Sequence, residues 1–117
     1  MKDNVSVIEY KGREYHLHFN LNVMEEIQAE YGSFSEWADL TDGTENNGEP
    51  NIKAVVYGIT AMINEGIEID NEEKGESVPL MTLKQVGRMA TEIGLQAAID
   101  KLNETVIEST KSTEKNV

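Results

Sequence analysis

Two hydrophobic periodicities divide the chain. From Val5 to Phe19 apolar residues fall on short alternating runs, Val5, Val7 and Ile8 before Lys11-Gly12, and Tyr15, Leu17 and Phe19 after it. Alternation marks strands with one buried face, and a two-residue break whose second member is glycine suits a tight reversal, so residues 4–19 predict a β-hairpin. Val7 and Ile8 are adjacent and point to opposite faces, which leaves the register of the first strand open. Tyr15, Leu17 and Phe19 are expected on the buried side.

Beyond Phe19 the period changes to that of a helix. Val23/Met24, Ile27 and Tyr31 share one stripe, with Asn22 expected as N-cap, Glu25 three residues on, and Gly32 placed for a left-handed C-terminal cap. Ser35 is expected to cap a short second helix carrying Trp37 and Leu40, with Phe34 packing beside Trp37, and Thr41 to Asn51 reads as a turn-rich loop. A third helix opens after Pro50 or Asn51 with the clearest stripe in the chain: Ile52, Val55/Val56, Ile59 and Met62/Ile63, expected to end at Gly66. After an acidic loop over 67–80, Thr82 and Gln85 form a capping box ahead of Leu83, Val86, Met89/Ala90 and Ile93. The stripe restarts out of phase at Leu95, Ala98/Ile99, Leu102 and Val106, so Gly94 marks a kink or a helix junction. From Glu108 the periodicity is lost. These elements predict one α+β domain, mainly α, over residues 1–108, with the N-terminal hairpin packed on three to four helices and a flexible C-terminal tail at 109–117.

Composition adds a constraint on partners. The 117 residues carry a net charge of −12 and no cysteine, which removes disulfides, thiol nucleophiles and thiolate metal sites and argues against binding nucleic acid through phosphates. The charge is concentrated in two segments, Glu36 to Glu49 and Glu65 to Glu76. No apolar run reaches the length of a membrane span or a signal peptide, so neither a membrane association nor a secreted location is expected.

Little in the chain suggests reactive chemistry. His16 and His18 share one face of the second strand, but no third ligand is placed to complete a metal site. The run Asp70-Asn71-Glu72-Glu73-Lys74-Gly75 has the glycine of a calcium loop, yet Lys74 occupies a ligand position and Met81 stands where the closing glutamate belongs. No phosphate-binding, dinucleotide, nucleophile-elbow or zinc-protease motif is present. A non-enzymatic protein without cofactors is therefore expected. Met24, Met62, Met81 and Met89 lie on or beside the helices, where they serve as core filler or as a surface that repacks around a partner.

The run "YKGREYHLHFNLNVMEEIQAEYGS", with "NIKAVVYGITAMINEG" and "LMTLKQVGRMATEIG", resembles the tail assembly chaperones of long-tailed bacteriophages and prophages. The resemblance implies a small acidic protein of the bacterial host cytoplasm, absent from the mature virion. It also implies binding to the tape measure protein, and to the major tail tube protein as a second candidate partner; self-association into a homo-oligomer is a further expectation. Apolar helical surface would cover the tape measure and net charge would hold the complex in solution. Met62, Ile63, Ile99 and Leu102 are the residues expected to bind the partner. The alternatives are a structural tail or head-tail connector protein of the virion, and an acidic DNA mimic. The mimic is disfavoured on the expectation that the carboxylates lie in Gly- and Asn-rich loops.

Overall fold

The computed structural model describes residues 6–44 and 46–115, with side chains as far as Ser109. Its architecture is α+β and mainly α. Strands β1 (Ser6–Tyr10) and β2 (Arg13–Leu17) form an antiparallel hairpin, followed by helices α1 (Leu21–Tyr31), α2 (Phe34–Asp42), α3 (Ile52–Lys74), α4 (Leu83–Ile93) and α5 (Leu95–Lys115). Val5, the first residue of the expected alternation, lies outside the described residues.

The hairpin closes through Lys11 and Gly12, both at positive φ (52° and 76°), the conformation that matches the twist of two paired strands. This turn fixes the register that the sequence left open. Tyr10 faces Arg13, Ile8 faces Tyr15 and Ser6 faces Leu17, so Ile8 and Leu17 go into the core while Val7 turns to the opposite face. Tyr15 and Phe19 pack against that core and remain partly exposed.

Helix α3 is the hub. It packs against β2, α1, α2, α4 and α5, and Ala54, Val55, Ile59, Met62, Ile63 and Ile67 along it are all buried. A helix covered on several sides needs more than one apolar stripe, and two glycines supply the remaining room. The edge of the Trp37 indole lies where a Cβ on Gly58 would project; the indole N–H donates to the carbonyl of Ala54 (3.0 Å). At Gly66 the chain leaving β2 takes the same kind of space, and the N–H of His18 donates to the carbonyl of Met62 (3.2 Å).

Several helix ends differ from the sequence expectation. Asn20, not Asn22, caps α1, its side-chain oxygen accepting from the N–H of Val23 (3.2 Å). Ser33, not Ser35, caps α2, accepting from Glu36 N–H (3.1 Å), and α2 continues to Asp42. Helix α3 passes through Gly66 and ends only at Gly75, which is left-handed (φ 66°). The acidic loop expected at 67–80 is thus helical as far as Lys74. Asn51 caps α3, the Thr82–Gln85 box caps α4 and Gly94 closes α4 as the sequence indicates; Gly32 closes α1 at the expected position and at positive φ (94°), but with ψ −38° it is not the left-handed helical cap expected. Because Gly94 (φ 100°) ends α4 and α5 begins at Leu95, the C-terminal region is two helices. The backbone of 109–115 belongs to α5, where an aperiodic tail is expected from sequence; residues 116–117 lie outside the described residues.

The extension of α3 carries an unfavourable charge pattern. Asp70, Glu72 and Glu73 near its C-terminus oppose the helix dipole, with only Lys74 favouring it. Tertiary contacts hold this stretch. Ile67 is buried, the ring Nδ1 of His16 lies 2.8 Å from a carboxylate oxygen of Asp70, and Asn71 makes a two-bond contact with Val78. In that contact the Asn71 amide donates to the Val78 carbonyl (3.0 Å) and accepts from the Val78 N–H (3.0 Å). Asn64, two turns earlier, repeats the arrangement with Met81, at 2.9 and 2.8 Å. Each asparagine satisfies both backbone groups of one residue, at Val78 and at Met81 three positions on, and together they strap the segment between α3 and α4 along the hub helix.

Candidate functional site

Met62, Ile63 and Leu102 are fully buried and Ile99 is nearly so. None of these expected partner-binding residues lies on accessible surface in this structure, because the strongest apolar stripes are the ones the domain uses for its own core. Met89 is likewise buried, while Met24 and Met81 are partly exposed.

Among the described residues, the large apolar side chains left exposed are Leu21, Ile52, Leu80, Leu83, Leu95 and Ile107. Two of them, Leu80 and Leu83 (47% and 52% exposed), line an open groove of about 230 Å³ beside α3. The strap held by Asn64 brings Leu80 there, and Leu83 is the first residue of α4 just beyond it. Tyr57, Thr60 and Ala61 form the floor, at the spacing of successive turns of α3, and Asn64 continues the same line. Glu26 from α1 and Glu65 and Glu68 from α3 complete the lining, which contains no basic residue. From Tyr57 to Glu68 the groove follows three turns of helix, roughly 16 Å.

Two features make this groove more than an incidental gap. Its walls are tied together: the Tyr57 hydroxyl donates to the carbonyl of Glu26 (3.1 Å), and the amides of Asn20 and Asn22 both donate to one carboxylate oxygen of Glu65 (2.8 and 3.1 Å). Leu21, 82% exposed, lies between those two asparagines in sequence. The groove is also electrostatically one-sided. Partial burial, then the negative charges of Glu65, Glu68 and Glu25, push the Glu26 carboxyl above its ordinary value, so a cation arriving there would relieve repulsion already present.

A second cavity, of about 150 Å³, lies between β2 and the end of α3. Arg13, Lys74 and His16 share it with Glu14, Asp70 and Glu76, so its charges nearly balance and it favours no ligand of one sign. His16 and His18 do not form a metal centre: His16 is bonded to Asp70, and among the described residues no group of three or more His, Cys, Asp or Glu side chains is arranged to hold a metal ion. The His18 ring is half-buried, and that burial lowers its pKa, assisted by His16 and opposed by Asp70, Glu65 and Glu73. The run 70–75 forms the end of α3 and its glycine cap, which does not have the shape of a calcium loop. Among the described residues no helix is long and apolar enough to cross a membrane.

Sequence reasoning missed the groove because its floor is the less apolar side of α3. Tyr57, Ala61, Asn64 and Glu68 do recur at helical spacing, which is the signal that was available, but it becomes a continuous line only when α3 runs on past Gly66. No family model, no curated protein and no solved structure matches the chain.

Proposed function

We propose that this chain works by binding another polypeptide, as a tail assembly chaperone that holds the tape measure protein in solution while a phage tail is built. The observation that carries the reading is the groove: Leu80 and Leu83 stand exposed beside a mixed floor of Tyr57, Thr60 and Ala61, with the carboxylates of Glu26, Glu65 and Glu68 in the same lining. A holdase needs that pairing, apolar surface to cover a partner and like charge to keep the complex dispersed. An open trough of about 230 Å³ is smaller than the roughly 300–1,000 Å³ of enclosed small-molecule sites and suits a row of side chains on a longer molecule. The net charge of −12 and the resemblance of the hairpin–α1 segment to that family point the same way. Action in the bacterial host cytoplasm, contact with the tail tube protein and assembly into a homo-oligomer belong to the same proposal.

Co-expression with the cognate tape measure protein is the direct test, and the expected result is a clear rise in soluble tape measure. No rise rejects the reading. Mass spectrometry of purified virions separates a chaperone, which should be absent, from a structural tail or connector protein.

One observation favours a second reading. Glu68, Asp70, Glu72 and Glu73, expected in a loop, join Glu65 on α3, so this group of carboxylates is displayed on a rigid helix. A DNA mimic needs such rigidity. Competition with DNA for a restriction enzyme or nucleoid protein would support the mimic and remove the chaperone reading.

A further inference from the structure

We infer that the groove between α1, α3 and the strap seats one amphipathic helix whose apolar stripe is flanked by Lys or Arg. The partner's identity rests on the reading above; its chemistry rests on the groove itself. An apolar row fits against Tyr57, Ala61, Leu80 and Leu83, while flanking cations reach Glu26, Glu65 and Glu68.

Three arguments select this occupant. The groove follows three turns of α3, and a partner helix of about eleven residues presents three turns of its own, enough for apolar anchors at i, i+3 or i+4, and i+7. The lining has three carboxylates and no base, and Glu65 is fixed in place by Asn20 and Asn22, so the acidic side of the complementarity is preorganised. A second copy of this chain is the poorer occupant of this groove in particular, because a chain of net charge −12 has few cations to set against the three lining carboxylates; oligomerisation through another face is unaffected.

The test uses three fluorescein-labelled 14-residue peptides and the intact protein. The first has leucines at helical spacing flanked by lysines; the second replaces the lysines with glutamates; the third has the composition of the first in scrambled order. Anisotropy titration should show binding of the first peptide, weakening as salt rises, with the other two at least about tenfold weaker. Leu83→Ser and Glu68→Gln should each weaken the first peptide by about tenfold. Leu95→Ser and Glu36→Gln, an apolar and an acidic change on α5 and α2, should leave it unchanged. All four residues are exposed, and an unaltered thermal midpoint verifies folding. Amide NMR shifts should cluster at Tyr57–Glu68 and Leu80–Leu83.

Equal binding of the scrambled peptide, equal sensitivity to the control variants, or shifts centred elsewhere overturns the inference. So does a dimer in light scattering that Leu83→Ser dissolves, which assigns the groove to a second copy. The two readings fail separately. If the lysine peptide maps to the groove but co-expression leaves the tape measure insoluble, the groove stands and the chaperone function falls. If co-expression succeeds and Leu83→Ser leaves it intact, the function stands and the groove falls.

Discussion

Gly66 lies directly beneath the backbone carbonyl of His16, and a Cβ at that position would overlap the carbonyl oxygen. This one approach seats the hairpin on the hub helix, and it explains a glycine in the middle of a helix that extends for two more turns. The contact is with backbone, which cannot swing aside as a side-chain tip can.

Gly66→Ala should therefore destabilise the domain by at least about 2 kcal/mol, despite alanine's higher helix propensity. Gly87, inside α4, has open space where its Cβ would be, and Gly87→Ala should stabilise by roughly 0.5–1 kcal/mol. Urea unfolding of the two variants checks both signs. Equal effects would mean that the hairpin does not sit on α3 as described.

The asparagine strap gives a prediction at single-residue resolution. Asn71→Ala leaves both backbone groups of Val78 without their partners, and Asn64→Ala does the same at Met81. Each should cost about 1–3 kcal/mol. Hydrogen exchange should accelerate at Val78 in the first variant and at Met81 in the second, and Asn64→Ala should also loosen the groove wall formed by Leu80 and Leu83. Uniform acceleration across the domain in both variants would show global destabilisation, with no separate clamps.

The parts of this fold that can be read from the chain are those fixed by local chemistry. Lys11-Gly12 makes its turn, Thr82 and Gln85 close their box, and Gly94 separates two helices, each within a few residues of sequence. The misread parts were decided by distant residues. Asn22 is the expected cap of α1, but Asn20 caps it, its side-chain oxygen accepting from Val23 N–H while the amides of both asparagines donate to Glu65, more than forty positions along the chain. Gly66 resembles a helix terminator because the strand that requires it lies about fifty positions earlier. Met62 and Ile63, the residues expected to bind a partner, lie on the clearest apolar stripe of the chain, and the fold buries that stripe in its own core.

His18 should make stability pH-dependent. Its folded pKa is lowered, chiefly by burial, from an ordinary value of 6.5, so the unfolded chain takes up a proton more readily. Its contribution is present above about pH 6.5 and is lost as pH falls through the lowered folded value. His18→Gln, which cannot charge, should flatten the denaturation midpoint between pH 7 and 5 relative to the parent. An unchanged slope would place the acid sensitivity elsewhere.

Glu26 has the opposite sign and links stability to the groove. Its folded pKa is raised, first by partial burial and then by Glu65, Glu68 and Glu25. The stability associated with its protonated form is present below its ordinary value of 4.5 and lost as pH rises through the folded value. At pH 7 its charge thus opposes folding. Glu26→Gln should stabilise the free protein at pH 7, by only a few tenths of a kcal/mol (roughly) because the group is largely exposed and screened, and the gain should shrink in high salt and vanish below about pH 4. The same variant should weaken the lysine-flanked peptide, since it removes a carboxylate that a cation would meet. A substitution that raises the thermal midpoint while lowering affinity is the expected mark of a group retained for binding at some cost to the fold. If Glu26→Gln instead leaves both properties unchanged across pH and salt, the repulsion along this rim is too weak to shape either.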